Sequence, residues 1–346
     1  MARSISTIDL FCGAGGLTYG FEQAGLPVKA GYDIDPACKF PYEYNSKAQF
    51  VLKDVGCVGK SDLDHYFSGS QVKILAGCAP CQPFSSYARR YNDKESKWKL
   101  LQDFARLVKE CEPEIVSMEN VLQLKHHPVY MEFVKILQSL NYVTESYEVN
   151  CADYGIPQSR KRLLLLASKF GKIELIPTTH DPEEYETVRK TIGHLASLGA
   201  GQASSTDRLH QCSKLSNLNL QRIRASRPGG TWRDWSKDLV AKCHTKKSGK
   251  TYPAVYGRME WDRPSPTITT QCFGFGNGRF GHPEQDRAIS LREAALLQTF
   301  PPNYELVAPN EPIIFGRIGR LVGNAVPVKL GQAIAQSILT HLDKVI

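Results

Sequence analysis

Asp9-Leu10-Phe11-Cys12-Gly13-Ala14-Gly15-Gly16 is the stretch that decides the fold. An apolar run, Ser6 to Phe11, enters a glycine-rich turn, and a helical stretch follows to about Gly25. A strand that hands on to a helix through such a turn places its glycines where backbone comes close to a ligand, at the carboxyl end of a sheet. The dinucleotide fingerprint G-x-G-x-x-G would need glycine at position 18, where Thr18 stands. Asp33 lies 20 residues after Gly13, at the end of the next strand, Val28 to Tyr32, where a carboxylate can accept from ribose hydroxyls. Asp54, after Val51 and Leu52, is a third strand-end acid, suited to an adenine amino group and equally to a helix cap. A glycine-rich loop alone also fits a tight turn with nothing bound, but with Asp33 and Asp35 beside it the pattern argues for an adenosine-containing ligand.

Outward from this loop, apolar runs and amphipathic stretches alternate in the βαβ rhythm of a parallel sheet. Val72 to Ala76 and Glu114 to Met118 read as buried strands, and Val143 to Val149 and Leu163 to Ala167 add more. Lys97 to Cys111 sets Leu100, Leu101, Phe104, Leu107 and Val108 on one helical face, and Val129 to Leu140 reads as another helix. Periodicity weakens from Gly171 to Gly281 and returns at Ser290 to Gln298, where Ser290 and Glu293 form a capping-box pattern. Val328 to Ile346 is a closing helix that can pack back on the sheet. The expected organisation is an α/β large domain, 1–170 plus 315–346, and a smaller irregular domain, 171–314.

With 346 residues and 42% hydrophobic content the chain can bury a full core. No apolar run approaches a membrane span, and MARSISTIDLFCG leads straight into a strand, so a cytoplasmic protein without membrane contact is expected. The ten cysteines are scattered, which favours reduced thiols, and one C-x-x-C pair, Cys78 and Cys81, lacks the partners of a zinc site, so no metal is expected. Residues 222–250 hold nine Lys/Arg against Asp234 and Asp238, a net +7 within a chain of +8, interleaved with Trp232 and Trp235. Such a segment suits a polyanion, whose condensed counterions it would release, though a solvated basic loop reads the same way.

Gly77-Cys78-Ala79-Pro80-Cys81-Gln82-Pro83-Phe84-Ser85 follows the Val72 to Ala76 strand and brings a thiol to its carboxyl end. Glu119-Asn120-Val121 follows the Glu114 to Met118 strand and brings a carboxyl to the same rim, and Gln158-Ser159-Arg160-Lys161-Arg162 opens a further strand with two guanidiniums in reach. Taken singly, Cys81 reads as a buried structural thiol and Glu119 as a helix-start acid. Together they read as a reacting centre.

These motifs, D-L-F-C-G-A-G-G, P-C-Q-P-F-S, E-N-V, Q-S-R-K-R and V-G-N-A-V-P, span residues 9–327 in one order, and with them the chain resembles the cytosine-5 DNA methyltransferases. The resemblance implies a Rossmann-like S-adenosylmethionine-dependent fold with a smaller target-recognition domain, and a base extruded from duplex DNA. It implies that Cys81 adds to cytosine C6, that Glu119 meets N3 and the exocyclic amine, and that Arg162, with Arg160 nearby, meets O2. A thiolate suits that step as a strong nucleophile and competent leaving group. S-adenosylmethionine, leaving as S-adenosylhomocysteine, would lie against Phe11, Gly13, Ala14, Gly15, Gly16, Asp33, Ile34, Asp54, Val55, Pro80, Asn324 and Val326. DNA contacts are expected from Ser85, Arg89 and Arg90 after the nucleophile, from Arg233, and from Thr267 and Ile268 in Pro264-Ser265-Pro266-Thr267-Ile268-Thr269-Thr270. Where the family often has G-G-P-P-C-Q, this chain has Cys78 and Ala79 in place of a glycine and a proline. The small size implies a prokaryotic enzyme paired with a restriction endonuclease of the same specificity. The rivals are a tRNA cytosine-5 methyltransferase, which shares Pro-Cys and Glu-Asn-Val, a Cys78/Cys81 oxidoreductase and a catalytically silent binding regulator.

Overall fold

The computed structural model describes residues 4–80 and 98–346. In chain order its elements are β1 (Ile5–Leu10), α1 (Gly16–Gln23), β2 (Val28–Asp33), α2 (Lys39–Asn45), β3 (Gln49–Leu52), α3 (Lys60–Phe67) and β4 (Val72–Gly77). Then come α4 (Lys99–Cys111), β5 (Ile115–Asn120), α5 (Pro128–Ser139), β6 (Val143–Asn150), β7 (Gln158–Ser159) and β8 (Lys161–Ser168). The remainder holds α6 (Val188–Ile192), α7 (Asn217–Arg224), α8 (Lys242–Thr245), β9 (Ser265–Pro266), α9 (Leu291–Leu297), α10 (Phe315–Asn324) and α11 (Val328–Val345).

The chain packs as two compact units, Met1–Tyr154 with Lys161–Thr179 and Ala325–Ile346, and Gly155–Arg160 with His180–Asn324. Both boundaries differ from the expected division at 170 and 315. Residues 171–179 stay with the first unit, where the Ile176 amide donates to Ser337 Oγ on α11 at 3.0 Å. Helix α10 belongs to the second, because Gly319 lets the Phe273 ring and the Thr270 carbonyl come so close that a Cβ would stand 2.6 Å from each.

The first unit is built on a seven-stranded sheet in the order β3-β2-β1-β4-β5-β8-β6. Its central strands read as continuous apolar runs because both faces are covered: Ile8, Leu10, Ile74, Leu75, Val116 and Met118 are fully buried. Strands β3, β2, β1, β4 and β5 pair in parallel, whereas β8 runs antiparallel to both β5 and β6. The parallel rhythm stops there because residues 151–160 are too few for a crossover helix, so the chain must turn back. Helix α4 buries Leu101, Phe104, Leu107 and Val108, as its 3.6-residue spacing predicts, and leaves Leu100 half-buried. Helix α11, expected to pack back on the sheet, packs against α1 through glycines: a Cβ on Gly20 would sit 2.4 Å from the Val328 carbonyl.

The second unit has little ladder. Among its described residues β7 pairs with β9, Gln158 opposite Ser265, and isolated bridges supply the rest. Helix α9 has the predicted capping box, with Ser290 Oγ accepting from the Glu293 amide at 3.1 Å and Glu293 Oε2 accepting from the Ser290 amide at 2.6 Å. Buried arginines do much of the remaining bonding. Arg258 donates to the carbonyls of Ile223, Ser226, His282 and Gln285 at 2.7–3.1 Å and pairs with Asp286. Arg287, wholly buried, forms a bidentate pair with Glu293 at 2.7 Å on both arms. Among the described residues no helix is long and apolar enough to cross a membrane.

Candidate active site

The glycine-rich loop leaves β1 through Phe11, which already has a positive φ of 59° and is half-buried. Gly13 (φ 53°) and Gly15 (φ 88°) follow in the left-handed region, and Gly15 caps α1. A Cβ on Gly13 would meet nothing within 4 Å, so the loop faces open space at that point. Ala14 and Gly16 are buried at the helix start. The Asp33 carboxylate is held at the same rim, accepting from the Gly13 amide and the Asp35 amide at 2.9 Å each. Burial raises its pKa, against the opposing pull of those backbone donors. Next to it Ile34 is 67% exposed, an apolar surface of the kind a nucleobase covers. Asp54 is exposed and caps the short turn Val55–Cys57 by accepting from the Gly56 amide at 2.9 Å, so the cap reading of this residue is realised in the structure. Val55 is buried beneath that turn, Pro80 is exposed past the end of β4, and Val326 is buried before α11. Asn324 is exposed at the end of α10 and belongs to the second unit.

The departure at position 18 has a structural reason that spacing alone could not supply. Thr18 Oγ1 donates to the buried Asp9 carboxylate at 2.7 Å and bonds the Tyr42 hydroxyl at 2.9 Å. Tyr42 enters this space because Gly31 has no side chain: a Cβ there would lie 2.3 Å from the hydroxyl. A glycine at 18 would leave a buried acid without its side-chain donor. Even so, desolvation pushes the Asp9 pKa up to about 7.

Glu119 lies within β5, opposite Leu164 of β8, and not after the strand as its spacing implied. Its side chain is 2% exposed. Arg162 Nε approaches Glu119 Oε1 at 2.8 Å, but no hydrogen bond of good geometry reaches that oxygen. The Cys78 thiol donates to Oε2 at 2.8 Å. Asn120, the next residue of the motif, donates from Nδ2 to the Ala79 carbonyl at 2.9 Å and so ties the end of β5 to the segment after β4.

Of the two guanidiniums expected at this rim, Arg162 stands beside Glu119. Arg160 falls at the break between β7 and β8, is buried, and donates to Gln158 Oε1 and the Ile268 carbonyl at 3.4 and 3.2 Å within the second unit. These two bonds tie its guanidinium to Gln158 and to the segment before Thr269. Cys81, Ser85, Arg89 and Arg90 lie outside the described residues.

For DNA, the structure sorts the expected residues. Thr267 Oγ1 bonds the Ser159 carbonyl at 2.9 Å. Ile268 is fully buried with its amide on Gln158 Oε1 at 2.9 Å, so its side chain supplies packing and offers no face to a ligand. Arg233 is exposed and lies over the Trp232 ring, 5.6 Å from the centroid. Most of the basic segment is on the surface, including Arg224, Arg227, Lys237, Lys242, Lys246, Lys247 and Lys250. Trp232 and Trp235, interleaved with these charges in sequence, are buried with Ile223 and Phe275 in the core of the second unit. The buried Arg222 packs over Trp235 and Tyr256.

Residues 5–340 match the family model for C-5 cytosine-specific DNA methylases. The chain is 52% identical over 341 residues to the Type II methylase M.HgiDII of Herpetosiphon aurantiacus, covering 98% of this chain and 96% of that one. It is 31% identical to the Type II methyltransferase M1.HphI of Haemophilus parahaemolyticus, covering 97% and 87%. Among solved structures, a candidate DNA modification methyltransferase from an E. coli prophage superposes with a TM-score of 0.74 at 22% identity, covering 98% of this chain and all of that one. The Dnmt2 methyltransferase of S. pombe superposes at 0.59 and 16%, covering 99% of each chain, and both likenesses bear on fold alone. The Rossmann-like methyltransferase fold expected from the motifs is therefore the observed one, and the chain belongs to the C-5 cytosine-specific DNA methylase family as a DNA cytosine-5 methyltransferase.

Proposed function

We propose that this enzyme methylates C5 of a cytosine extruded from a short sequence in duplex DNA, with Cys81 as nucleophile and with Glu119 and Arg162 holding the polar edge of the base. The observation that carries this reading is the buried Glu119–Arg162 pair at 2.8 Å, joined to the segment after β4 by Asn120 and Cys78. A buried carboxylate with an unsatisfied oxygen, Oε1, is an acceptor waiting for a donor, and the polar edge of a cytosine protonated at N3 brings one. Cytosine C5 is a poor nucleophile. Addition of the Cys81 thiolate to C6, with Glu119 at N3 and Arg162 donating to O2, places electron density on C5. S-adenosylmethionine, when bound, supplies an electrophilic methyl group to that carbon. A base then takes the C5 proton, the C5–C6 double bond re-forms, and Cys81 leaves as thiolate.

The residues of the first unit fit that cofactor. The space over Gly13, the exposed face of Ile34 and the strand-end acid Asp33 offer room, an apolar surface and an acceptor for ribose hydroxyls. Phe11, Ala14, Gly15, Gly16, Asp54, Val55, Pro80 and Val326 complete the proposed holding set. The exposed lysines and arginines of 222–250, Arg233 among them, would neutralise DNA phosphates, and Ser85, Arg89, Arg90 and Thr267 are the remaining proposed contacts. The enzyme's role would be to protect DNA from a companion endonuclease, as the Type II designation of its relatives implies. The test is transfer of labelled methyl to unmethylated duplex DNA and to unmodified tRNA, with wild type and Cys81→Ala. Label in DNA that vanishes in the variant is the expected result, and label in tRNA alone would overturn it. Glu119→Gln is expected to slow transfer roughly 100-fold or more, in the range a positioned acid supplies.

A further inference from the structure

Cys78 is one of the two positions where the lead-in to the nucleophile departs from the family's common pattern, and nothing in the chemistry above uses it. Its backbone is fixed from both sides. The Cys78 amide donates to the Leu10 carbonyl at 3.3 Å, and Ala79 accepts from Asn120 at 2.9 Å. Gly77 makes this close approach possible, because a Cβ there would stand 2.7 Å from the Leu10 carbonyl. With the main chain so held, the thiol is directed at Glu119, and Sγ lies 2.8 Å from Oε2. Arg162 is equally near the other oxygen, but its Nε–H is poorly aligned. Among the described residues, the hydrogen bond the Glu119 carboxylate accepts therefore comes from Cys78. A buried carboxylate needs such a donor, and a glycine at 78 has none.

We propose that Cys78 is a positioning residue for Glu119: its thiol occupies Oε2 while the site is empty, keeps the carboxylate aimed, and yields that oxygen to the exocyclic amine of the base. A thiol suits the task because it is a weak donor. It satisfies Oε2 in the empty enzyme and competes poorly with an amine N–H once the base arrives. This inference rests on the proposed role of Glu119 for its catalytic consequence, but not for the contact itself.

Two measurements separate these layers. The first needs no substrate: the S–H stretching band in the infrared difference between wild type and Cys78→Ala, recorded again in a Glu119→Ala background. A hydrogen-bonded band that moves to the free-thiol frequency when Glu119 is removed is expected, and a band indifferent to Glu119 overturns the proposal. The second is methyl transfer to duplex DNA by Cys78→Ala and Cys78→Ser. Cys78→Ala is expected to lower kcat roughly tenfold with the KM for S-adenosylmethionine unchanged, and Cys78→Ser to recover most of the loss. In a Glu119→Gln background the same substitution should have little further effect, because the two side chains act as a unit. Equal kcat in Cys78→Ala and wild type, or a serine variant as slow as alanine, overturns the proposal while Cys81→Ala and Glu119→Gln still report on the mechanism. Full activity in Glu119→Gln would instead overturn the mechanism and leave the infrared result standing.

Discussion

The two units settle the same problem, buried backbone polarity, by different means. In the first, seven strands pair their amides and carbonyls with one another, and the core between sheet and helices is aliphatic and aromatic. In the second, two strands of two residues make the ladder, and guanidinium groups take over as donors to carbonyls left by loops. One Arg258 serves four carbonyls and a carboxylate. A ladder fixes the chain wherever strands run. A guanidinium fixes it wherever loops converge, which allows an irregular body whose surface is free to vary.

The sharpest way to break this contrast is Arg258→Met. Loss of a buried, fully bonded charge is expected to cost roughly 3–5 kcal/mol in denaturant unfolding, whereas Arg227→Met, an exposed arginine of the same unit, should cost under about 0.5 kcal/mol. Equal small effects would mean that the guanidiniums are ornaments of the loops and not their support.

Acidity should divide the units next. Asp9 has its pKa raised to about 7 by burial, so protonation favours the folded first unit: its contribution is complete below about 4 and is lost as pH rises through about 7. The size, from about three pK units, is roughly 4 kcal/mol. His282 is driven the other way, to about 4, chiefly by desolvation, with Glu293 opposing. The second unit therefore keeps its stability above the ordinary histidine value of 6.5 and loses it as pH falls toward about 4. Amide hydrogen exchange between pH 5 and 8 should show protection falling with rising pH for β1 and rising for α9. Asp9→Asn should flatten the first trend and leave the second, and parallel slopes in both units would contradict it.

Smaller effects test packing. Gly20→Ala should cost roughly 2 kcal/mol by forcing α1 from α11, where its Cβ would meet the Val328 carbonyl at 2.4 Å and Gly331 Cα at 2.9 Å. Gly316→Ala, in α10 with nothing within 4 Å, should gain about 0.5–1 kcal/mol. Thermal unfolding of both variants checks the pair, and a neutral Gly20→Ala would show that the helices can part without loss.

Legibility follows the same division. Strands β1, β2, β4 and β5 and helices α4, α5, α9 and α11 could be read to within a few residues, because local periodicity reports which face is buried. The short α2, α3 and α10 escaped, since seven to ten residues give little period to count and none of the three has the Ser-x-x-Glu start that marks α9. Of the site, Asp33 at the glycine loop and Arg162 at Glu119 stand where strand ends predicted them. The burial of Trp232 and Trp235 was not legible, because their basic neighbours are near in sequence, while what covers them, Phe275 and Ala288, comes from far along the chain.

What the sequence by itself determined is the order of chemistry along the sheet: which strand carries the glycine loop, which leads to the thiol, which holds the acid, and to what family that order belongs. Only the tertiary structure decided which side chains meet. Arg160 and Arg162 are two residues apart yet serve different units, and Cys78 and Glu119 are 41 apart yet share a hydrogen bond. Local pattern fixes the path of a strand because its hydrogen bonds and burial repeat along it. The direction of one guanidinium or thiol at a strand end depends on neighbours brought in by topology, and no short-range spacing encodes them.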